Sequence, residues 1–129
     1  MISLIDHVAI TVKDLQETID FYAKLGFKLG QRAENPTQII QFLEAGQARL
    51  EVFAPKPTVT TPPELTQCDI GIKHIALKVD DIWKTYSEAK EKGVTFNSEP
   101  QFTPMGPAVV FFRDPSGILL QLIQMTKAG

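Results

Sequence analysis

The sequence predicts an α+β fold in which two βαβββ modules follow each other within a single domain, residues 1–129. The segment DHVAITVKDL, which begins at Asp6, returns as KHIALKVDDI, which begins at Lys73. Each copy changes from the alternating apolar pattern of a strand to the spacing of three and four residues that is typical of a helix. We therefore expect module one at about 4–54, a linker at 55–70 and module two at about 71–125.

The internal repeat extends beyond these two segments. His7 aligns with His74 at an offset of 67 residues (74 − 7), and other identical residues keep the same offset. Such a repeat indicates two copies of one structural unit. The identical pairs are Ala9 with Ala76, Val12 with Val79, Asp14 with Asp81, Thr18 with Thr85 and Gly26 with Gly93.

Each copy is predicted to open with a strand and a helix. In the first copy, apolar residues alternate with small or polar ones over 7–12, which gives the strand one apolar face. Asp14 is a favourable N-cap for the helix, and Gly26 is suited to end it. Asp81 and Gly93 provide the same signals in the second copy.

Three further strands are predicted in each copy. Their apolar residues lie between segments rich in turn-forming residues. The turn before the last strand is DPSG, Asp114–Gly117, whose Asp, Pro and Gly positions fit a type I turn. The predicted strands lie near Lys28–Ala33, Gln38–Glu44 and Ala48–Ala54 in the first copy, and near Thr95–Ser98, Pro107–Arg113 and Ile118–Gln124 in the second.

Composition and charge exclude several classes of partner. The 129 residues are 43% hydrophobic and 22% charged, as in ordinary globular proteins. A net charge of −2 without a basic cluster argues against nucleic acid and acidic membranes as partners. No signal-peptide pattern and no apolar run of about 20 residues is present. Because Cys68 is the single cysteine, no intrachain disulfide can form, and we expect a cytoplasmic protein.

Two histidines and two further polar residues occupy matching places in the two copies. His7 and His74 are predicted on the strand face opposite the apolar one, and Glu51 and Gln121 are predicted likewise on the last strand of each copy. Each of them could be an ordinary surface residue. Their repetition favours a shared site instead, because two imidazoles, a carboxylate and an amide oxygen are suitable ligands for a divalent transition metal.

Four segments resemble the vicinal oxygen chelate superfamily, which includes glyoxalase I, methylmalonyl-CoA epimerase, extradiol ring-cleaving dioxygenases and bleomycin and fosfomycin resistance proteins. The segments are DHVAITVKDLQETIDFYAKLGF, ARLEVF, KHIALKVDDI and VVFFRDPSGILLQLIQ. They cover nearly the whole chain outside the linker. The resemblance implies a cupped mixed sheet with helices on its outer face, a small-molecule substrate or ligand, and a homodimer.

The resemblance also implies a metal site and a reaction. Carried over position by position, it places the ligands of one divalent ion (Ni, Co, Zn, Mn or Fe) at His7, Glu51, His74 and Gln121. It implies a lyase or isomerase that moves a proton next to a carbonyl through a metal-stabilised enolate or enediolate. The family usually has Glu where this chain has Gln121, and an amide cannot act as a base. We therefore assign the catalytic base to Glu51.

Other members of the superfamily imply other functions. Members that act on glutathione adducts commonly carry Arg on the first strand, where this chain has Thr11, so a glutathione adduct is not the expected substrate. An extradiol-type ring-cleaving dioxygenase would hold iron with His7, His74 and Glu51. In the family's dioxygenases, however, the carboxylate generally comes from the place of Gln121. A non-catalytic binding or resistance protein would use the same cup to hold a small molecule.

Several other residues are candidates either for ligand binding or for ordinary packing. Arg49 shares the strand face of Glu51, where it could bind a substrate carboxylate or form a salt bridge at the rim, and Arg113 has the same alternatives. Trp83 is expected in the first turn of the second helix, where it would serve packing, with a dimer contact as the alternative. The residues expected in loops and core near the pocket are Phe102, Met105 and Phe112.

Overall fold

The computed structural model describes residues 1–57, 63–66 and 68–125. The chain divides into two compact units, Met1–Thr61 and Pro62–Gly129. We call them unit 1 and unit 2, and each contains one helix and one four-stranded mixed sheet. The predicted α+β class and the two tandem βαβββ modules are therefore confirmed. Part of the predicted linker, at 58–62 and 67, lies outside the described residues.

In unit 1, the first strand pairs with the last strand and forms one edge of the sheet. The strand order is β1-β4-β3-β2. Strand β1 runs parallel to β4, whereas the β4–β3 and β3–β2 pairs are antiparallel. The elements are β1 (Val8–Thr11), α1 (Leu15–Ala23), β2 (Lys28–Glu34), β3 (Gln38–Ala45) and β4 (Ala48–Pro55).

Unit 2 repeats this topology. Its strand order is β5-β8-β7-β6, with β5 parallel to β8 and the other two pairs antiparallel. The elements are β5 (Ile75–Lys78), α2 (Ile82–Glu91), β6 (Gln101–Phe102), β7 (Ala108–Arg113) and β8 (Leu119–Gln124). Among the described residues, neither helix of the protein is long and apolar enough to span a bilayer.

One predicted strand is wrong. Thr95–Ser98 is not a strand, because Phe96 makes only an isolated bridge to Phe112, and the second strand of unit 2 is β6. The Phe96 ring lies 4.9 Å from Tyr86 of α2 and 4.8 Å from Phe112 of β7, between ring centroids. The apolar character of this segment therefore serves packing between the helix and the sheet rather than strand pairing.

Both helices begin at the predicted caps, and α2 ends at Glu91, just before Gly93, whereas α1 ends at Ala23, three residues before Gly26. Asp14 Oδ1 accepts a hydrogen bond of 2.8 Å from the backbone N–H of Glu17, and Asp81 caps α2 in the same way. Such caps satisfy backbone donors that have no partner within the helix. Gly26 and Gly93 follow the helices with φ of 96° and 95°, a backbone conformation that favours glycine.

The core of each unit lies on one face of its sheet. In unit 1, Leu50 and Val52 of β4 are 3% and 0% exposed, while Tyr22 of α1 is fully buried. In unit 2, Leu120 and Leu122 of β8 have the same role. Because side chains alternate along a strand, the intervening positions of β4 and β8 lie on the opposite face of each sheet.

The predicted turn before β8 is confirmed. The backbone N–H of Gly117 donates to the carbonyl of Asp114 over 3.0 Å. The Asp114 carboxylate is buried and its Oδ1 accepts 2.9 Å bonds from the backbone N–H groups of Ser116 and Ile118. The carboxylate thus fixes the turn that sets the entry into β8.

Candidate functional site

His7 and Glu51 lie on the same face of the unit 1 sheet. Ala9 of β1 pairs in register with Glu51 of β4, and His7 stands two residues before Ala9, immediately before the strand. Nε2 of His7 is 3.7 Å from Oε1 of Glu51. The side chain of Glu51 is 21% exposed and that of His7 is 36% exposed, so both remain accessible from one side.

The two side chains fit as ligands of one metal ion. Two nitrogen or oxygen donors that are each about 2.1 Å from one ion are separated by roughly 3–3.4 Å, depending on the coordination geometry. The observed 3.7 Å between Nε2 and Oε1 needs only a small side-chain adjustment to reach that separation. An imidazole and a carboxylate are also the donor types that divalent transition metals accept.

Asp6 holds the other nitrogen of His7. Its Oδ2 lies 2.7 Å from Nδ1 of His7 and 2.7 Å from Nη1 of Arg49. The hydrogen bond from His7 holds the pKa of the Asp6 carboxyl below its usual range, with a smaller effect from the positive charge of Arg49. Asp6 is therefore an ionised carboxylate at neutral pH.

An aromatic ring supports the histidine in each unit. The His7 ring stands edge to face with Phe42, with ring centroids 5.6 Å apart, and Phe42 pairs in register with Glu51. In unit 2, the His74 ring takes the same geometry with Phe111 at 5.2 Å. The repeated sequence therefore produces a repeated local arrangement.

Gln121 completes this arrangement in unit 2. It pairs in register with Phe111 of β7 and with Ala76 of β5, two residues after His74. Gln121 is 9% exposed. Thus the structure brings His7 to Glu51 and places His74 and Gln121 at the equivalent positions of unit 2. Within 1–57, 63–66 and 68–125, no three His, Cys, Asp or Glu side chains form a group that could hold a metal.

A cleft beside Glu51 was not predicted. Its volume is about 420 Å³, and all of its lining residues belong to unit 1. Its apolar wall comes from β3, and its outer wall comes from the edge strand β2. The lining residues are Gln31, Arg32, Ala33, Ile40, Phe42 and Glu51.

An irregularity in β2 shapes the outer wall of this cleft. The register shifts between Leu29 and Arg32, so that two residues, Gly30 and Gln31, stand opposite the single residue Phe42 of β3. This is the pattern of a β-bulge, which redirects side chains at the edge of a sheet. The isolated glycine within the strand pattern is the signal from which it could have been predicted.

Close approach explains the glycine, and a buried amide holds the bulge. A Cβ on Gly30 would lie 3.1 Å from Cβ of Phe42. Gln41 is 2% exposed, and its Nε2 donates to the carbonyls of Gly30, Gln31 and Phe42 over 3.2, 3.3 and 2.9 Å. Gln41 therefore fixes the strand segment that carries Gln31 to the cleft.

The two candidate arginines form local interactions. Arg49 bonds to Asp6, lies 3.3 Å from Oε1 of Glu44 through its Nε, and places its guanidinium carbon 4.7 Å from the centre of the Phe42 ring. The rim salt bridge, the second of the two interpretations, is thus the one observed. Arg113 donates to the carbonyl of Gly117 over 2.8 Å and pairs with Glu64.

The predicted packing residues of unit 2 divide into two sets. Phe112 is fully buried and belongs to the core. Trp83 is 42% exposed, and its ring centroid lies 5.5 Å from that of Phe102. Phe102 and Met105 are 67% and 92% exposed. Trp83 and Phe102 therefore form an exposed aromatic pair at the start of α2.

Comparison with known proteins gives a consistent result. A model of the Glyoxalase/Bleomycin resistance protein/Dioxygenase superfamily matches residues 4–122. A lactoylglutathione lyase of Escherichia coli O157:H7 is 30% identical over 126 residues, which are 95% of this chain and 93% of that protein. The uncharacterized protein YwkD of Bacillus subtilis is 31% identical over 132 residues, with 96% and 98% of the two chains covered.

Solved structures share the fold. A glyoxalase family protein from Enterococcus faecalis has a TM-score of 0.79 and 30% identity, and the match covers 93% of this chain and 96% of that chain. Glyoxalase I from Zea mays has a TM-score of 0.78 and 26% identity, and the match covers 95% of this chain but 44% of the maize protein.

Proposed function

Because the chain belongs to the Glyoxalase/Bleomycin resistance protein/Dioxygenase superfamily, we propose that it is a divalent-metal-dependent lyase or isomerase. Its reaction moves a proton on the carbon next to a carbonyl group of a small molecule. The observation that carries this proposal is the approach of His7 Nε2 to Glu51 Oε1, 3.7 Å apart on the open face of the unit 1 sheet. An imidazole and a carboxylate in this position can bind a cation together.

The proposed ligands are His7, Glu51, His74 and Gln121. Their donors are two imidazole nitrogens, one carboxylate oxygen and one amide oxygen, a set that accepts Ni, Co, Zn, Mn or Fe in the divalent state. When bound, the ion supplies positive charge that stabilises negative charge developing on the carbonyl oxygen of the substrate. The proposal includes a homodimer, in which each ligand set comes either from one chain or from two.

Glu51 is the proposed catalytic base. It removes a proton from the carbon next to the carbonyl and returns it to the substrate at the end of the reaction. Gln121, at the equivalent position of unit 2, cannot take this role, because an amide has no basic oxygen at neutral pH. The partial burial of Glu51 also supports the assignment, because a shielded carboxylate is in less competition with water.

The cleft next to Glu51 is the proposed place of the substrate. Ile40 and Phe42 give it an apolar wall suited to a carbon skeleton, and Gln31 offers an amide for a hydrogen bond. Thr11 is exposed on β1 and provides no positive charge for a glutathione carboxylate. We therefore propose small 2-oxo or 2-hydroxy carbonyl compounds as substrates rather than glutathione adducts.

Metal content tests the ligand set. Protein purified without chelators or a tag is expected to contain about one transition metal ion per chain, and H7A is expected to lose it. T11A changes an exposed residue at the end of the strand that follows His7; it is the matched control and should keep the metal. Absence of metal from the wild-type protein after incubation with each ion would contradict the proposal and favour a small-molecule binding protein. A site that takes up iron and cleaves catechols would favour the dioxygenase alternative.

Proton transfer tests the role of Glu51. In D2O, the wild-type enzyme is expected to place deuterium next to the carbonyl of its substrates, which can be found by NMR with a panel of 2-oxo and 2-hydroxy carbonyl compounds. The hemithioacetal of methylglyoxal and glutathione belongs in the same panel. E51Q is expected to slow exchange at least about 100-fold, in the range of general base catalysis. E34Q is the control, and full exchange in metal-loaded E51Q would exclude Glu51 as the base.

A further inference from the structure

We propose that Asp6 is a positioning residue that holds His7 in the tautomer needed for metal binding, and that Arg49 in turn holds Asp6. This inference rests on the proposed metal site. It assigns a role to a residue outside the four proposed ligands. It also predicts that only one of the two histidines, His7, is held by a neighbouring carboxylate.

The hydrogen bond to Asp6 determines which nitrogen of His7 carries the proton. An ionised carboxylate can only accept hydrogen bonds, so the 2.7 Å contact from Oδ2 of Asp6 requires an N–H at Nδ1 of His7. In the neutral imidazole, Nε2 then carries a free lone pair. That lone pair is on the atom that lies 3.7 Å from Glu51 Oε1. Two acceptors therefore approach each other, and a cation between them would satisfy both.

Arg49 restricts the carboxylate of Asp6. The side chain of Asp6 is 70% exposed and would otherwise be free to rotate. Nη1 of Arg49 bonds to the same Oδ2 over 2.7 Å. Arg49 is itself held by Glu44 through Nε and by the face of the Phe42 ring. Residues of β3 and β4 thus hold Arg49, and Arg49 holds Asp6. Asp6 in turn fixes the imidazole of His7 at Nδ1, the ring nitrogen that does not face Glu51.

Unit 2 lacks this support. The residue before His74 is Lys73, a cation where unit 1 has Asp6. Nζ of Lys73 donates to the backbone carbonyls of Thr66 and Asp69, and its contact with Asp69 is 2.9 Å. The ammonium group of a lysine has no acceptor, so Lys73 cannot accept a hydrogen bond from His74 as Asp6 does from His7. In unit 1, His7 therefore lies between two carboxylates, those of Asp6 and Glu51. In unit 2, the corresponding residues around His74 are a lysine and an amide, Lys73 and Gln121.

The general behaviour of metal sites gives the expected size of the effect. A carboxylate that accepts the second N–H of a ligating histidine fixes the ring and raises its basicity, and its loss typically weakens metal affinity by about 10–100-fold. The structure assigns that role to Asp6 alone of the two residues that precede the histidines.

The first experiment measures the tautomer without metal or turnover. In metal-free protein at about pH 8, 15N NMR is expected to find His7 with its proton on Nδ1 and not on Nε2. D6A is expected to remove this preference, and D6N to retain part of it because its amide oxygen still accepts. K73A, the matched position of unit 2, should leave His7 unchanged. The same tautomer at His7 in wild type and D6A would overturn the proposal.

The second experiment measures affinity with Co2+ as the probe, followed by its visible absorption. D6A is expected to bind Co2+ about 10–100-fold more weakly than the wild type, with D6N and R49M in between. K73A should stay within about threefold. Equal affinity of D6A and wild type would also overturn the proposal. A wild-type protein that binds no Co2+ would contradict the proposed function. The tautomer experiment would then be the one test of whether Asp6 positions His7.

Discussion

Gln121 lies in unit 2 at the register position that Glu51 occupies in unit 1. Each pairs with the second residue of its unit's first strand, Ala9 or Ala76, two positions after a histidine. The two positions differ by a single chemical group, because an amide replaces a carboxylate. Gln121 is also the more buried of the two residues.

A carboxylate at position 121 should strengthen metal binding at the expense of the metal-free fold. We expect Q121E to have a lower Tm than the wild type without metal, because a charge would be buried without a partner. Added Co2+ should then raise the Tm of Q121E more than that of the wild type, since stabilisation grows with affinity. Thermal unfolding with and without Co2+ measures both effects.

The control for Q121E is Q38E, which introduces the same charge on a partly exposed position of β3. It should change neither the Tm nor its response to Co2+ by more than a degree or two. An equal response to metal in Q121E and wild type would mean that position 121 does not reach the ion.

Mixing two inactive variants should reveal which chains supply one site. H7A and H74A are each expected to bind no metal as pure proteins. If a site uses His7 of one chain and His74 of the other, a mixed dimer has one site with both substitutions and one intact site. In that case the mixture should recover up to half a metal ion per chain within the mixed dimers. No recovery after subunit exchange would place all ligands of a site in one chain.

Gln41 should stabilise unit 1 through the bulge that it holds. We expect Q41L to lower the free energy of unfolding by about 1–3 kcal/mol, because carbonyls of β2 and β3 lose buried donors. Denaturation in urea measures the loss. Q38L on the same strand is partly exposed and should change stability by less than about 0.5 kcal/mol. Unchanged stability of Q41L would show that water replaces the amide at the bulge.

The ion pair between Glu34 and Lys56 predicts a specific dependence on pH. Nζ of Lys56 lies 2.9 Å from Oε2 of Glu34, and this hydrogen bond lowers the pKa of Glu34 below 4.5. Because the folded protein has the lower pKa, the pair favours folding above pH 4.5, and this contribution is lost as the pH falls through the lowered pKa.

In K56M, the pKa of Glu34 should rise toward its ordinary value, with a smaller residual effect from the nearby charge of Arg32. Carboxyl 13C NMR during an acid titration measures it. K28M on strand β2 is the control and should leave Glu34 as it is in the wild type. A pKa of Glu34 that does not change in K56M would show that the pair is not formed in solution.

The elements that position the site follow from local sequence signals. Asp14 caps the start of α1, and Gly26 follows its end with a positive φ. Both signals can be recognised from the residue type alone. The face of Glu51 follows from alternation along β4, with Leu50 and Val52 turned to the core. A reader of the sequence can therefore predict which side chains share a face of the sheet.

The contacts that hold His7 depend on strand pairing, which a local sequence pattern does not contain. Asp6 meets Arg49 although 43 residues (49 − 6) separate them, and the contact exists only because β1 lies beside β4. The prediction of a strand at Thr95–Ser98 was wrong because the local sequence pattern does not show whether a segment pairs with a neighbouring strand. The two residues of β6 are too few to show alternation, whereas Phe96 has the apolar character of a strand but is used in packing.

The parallel contact between the first and last strands of each unit also determines when His7 can meet Glu51, and His74 can meet Gln121, as the chain folds. Val8 pairs with Leu50 across 42 residues (50 − 8), and Ile75 pairs with Leu120 across 45 (120 − 75). Closing such a loop costs more entropy than forming the adjacent β3–β4 hairpin. During synthesis, His7 precedes Glu51 by 44 residues (51 − 7). His7 and Glu51 therefore meet only in the completed unit, and the proposed metal site would not exist in a partly folded chain.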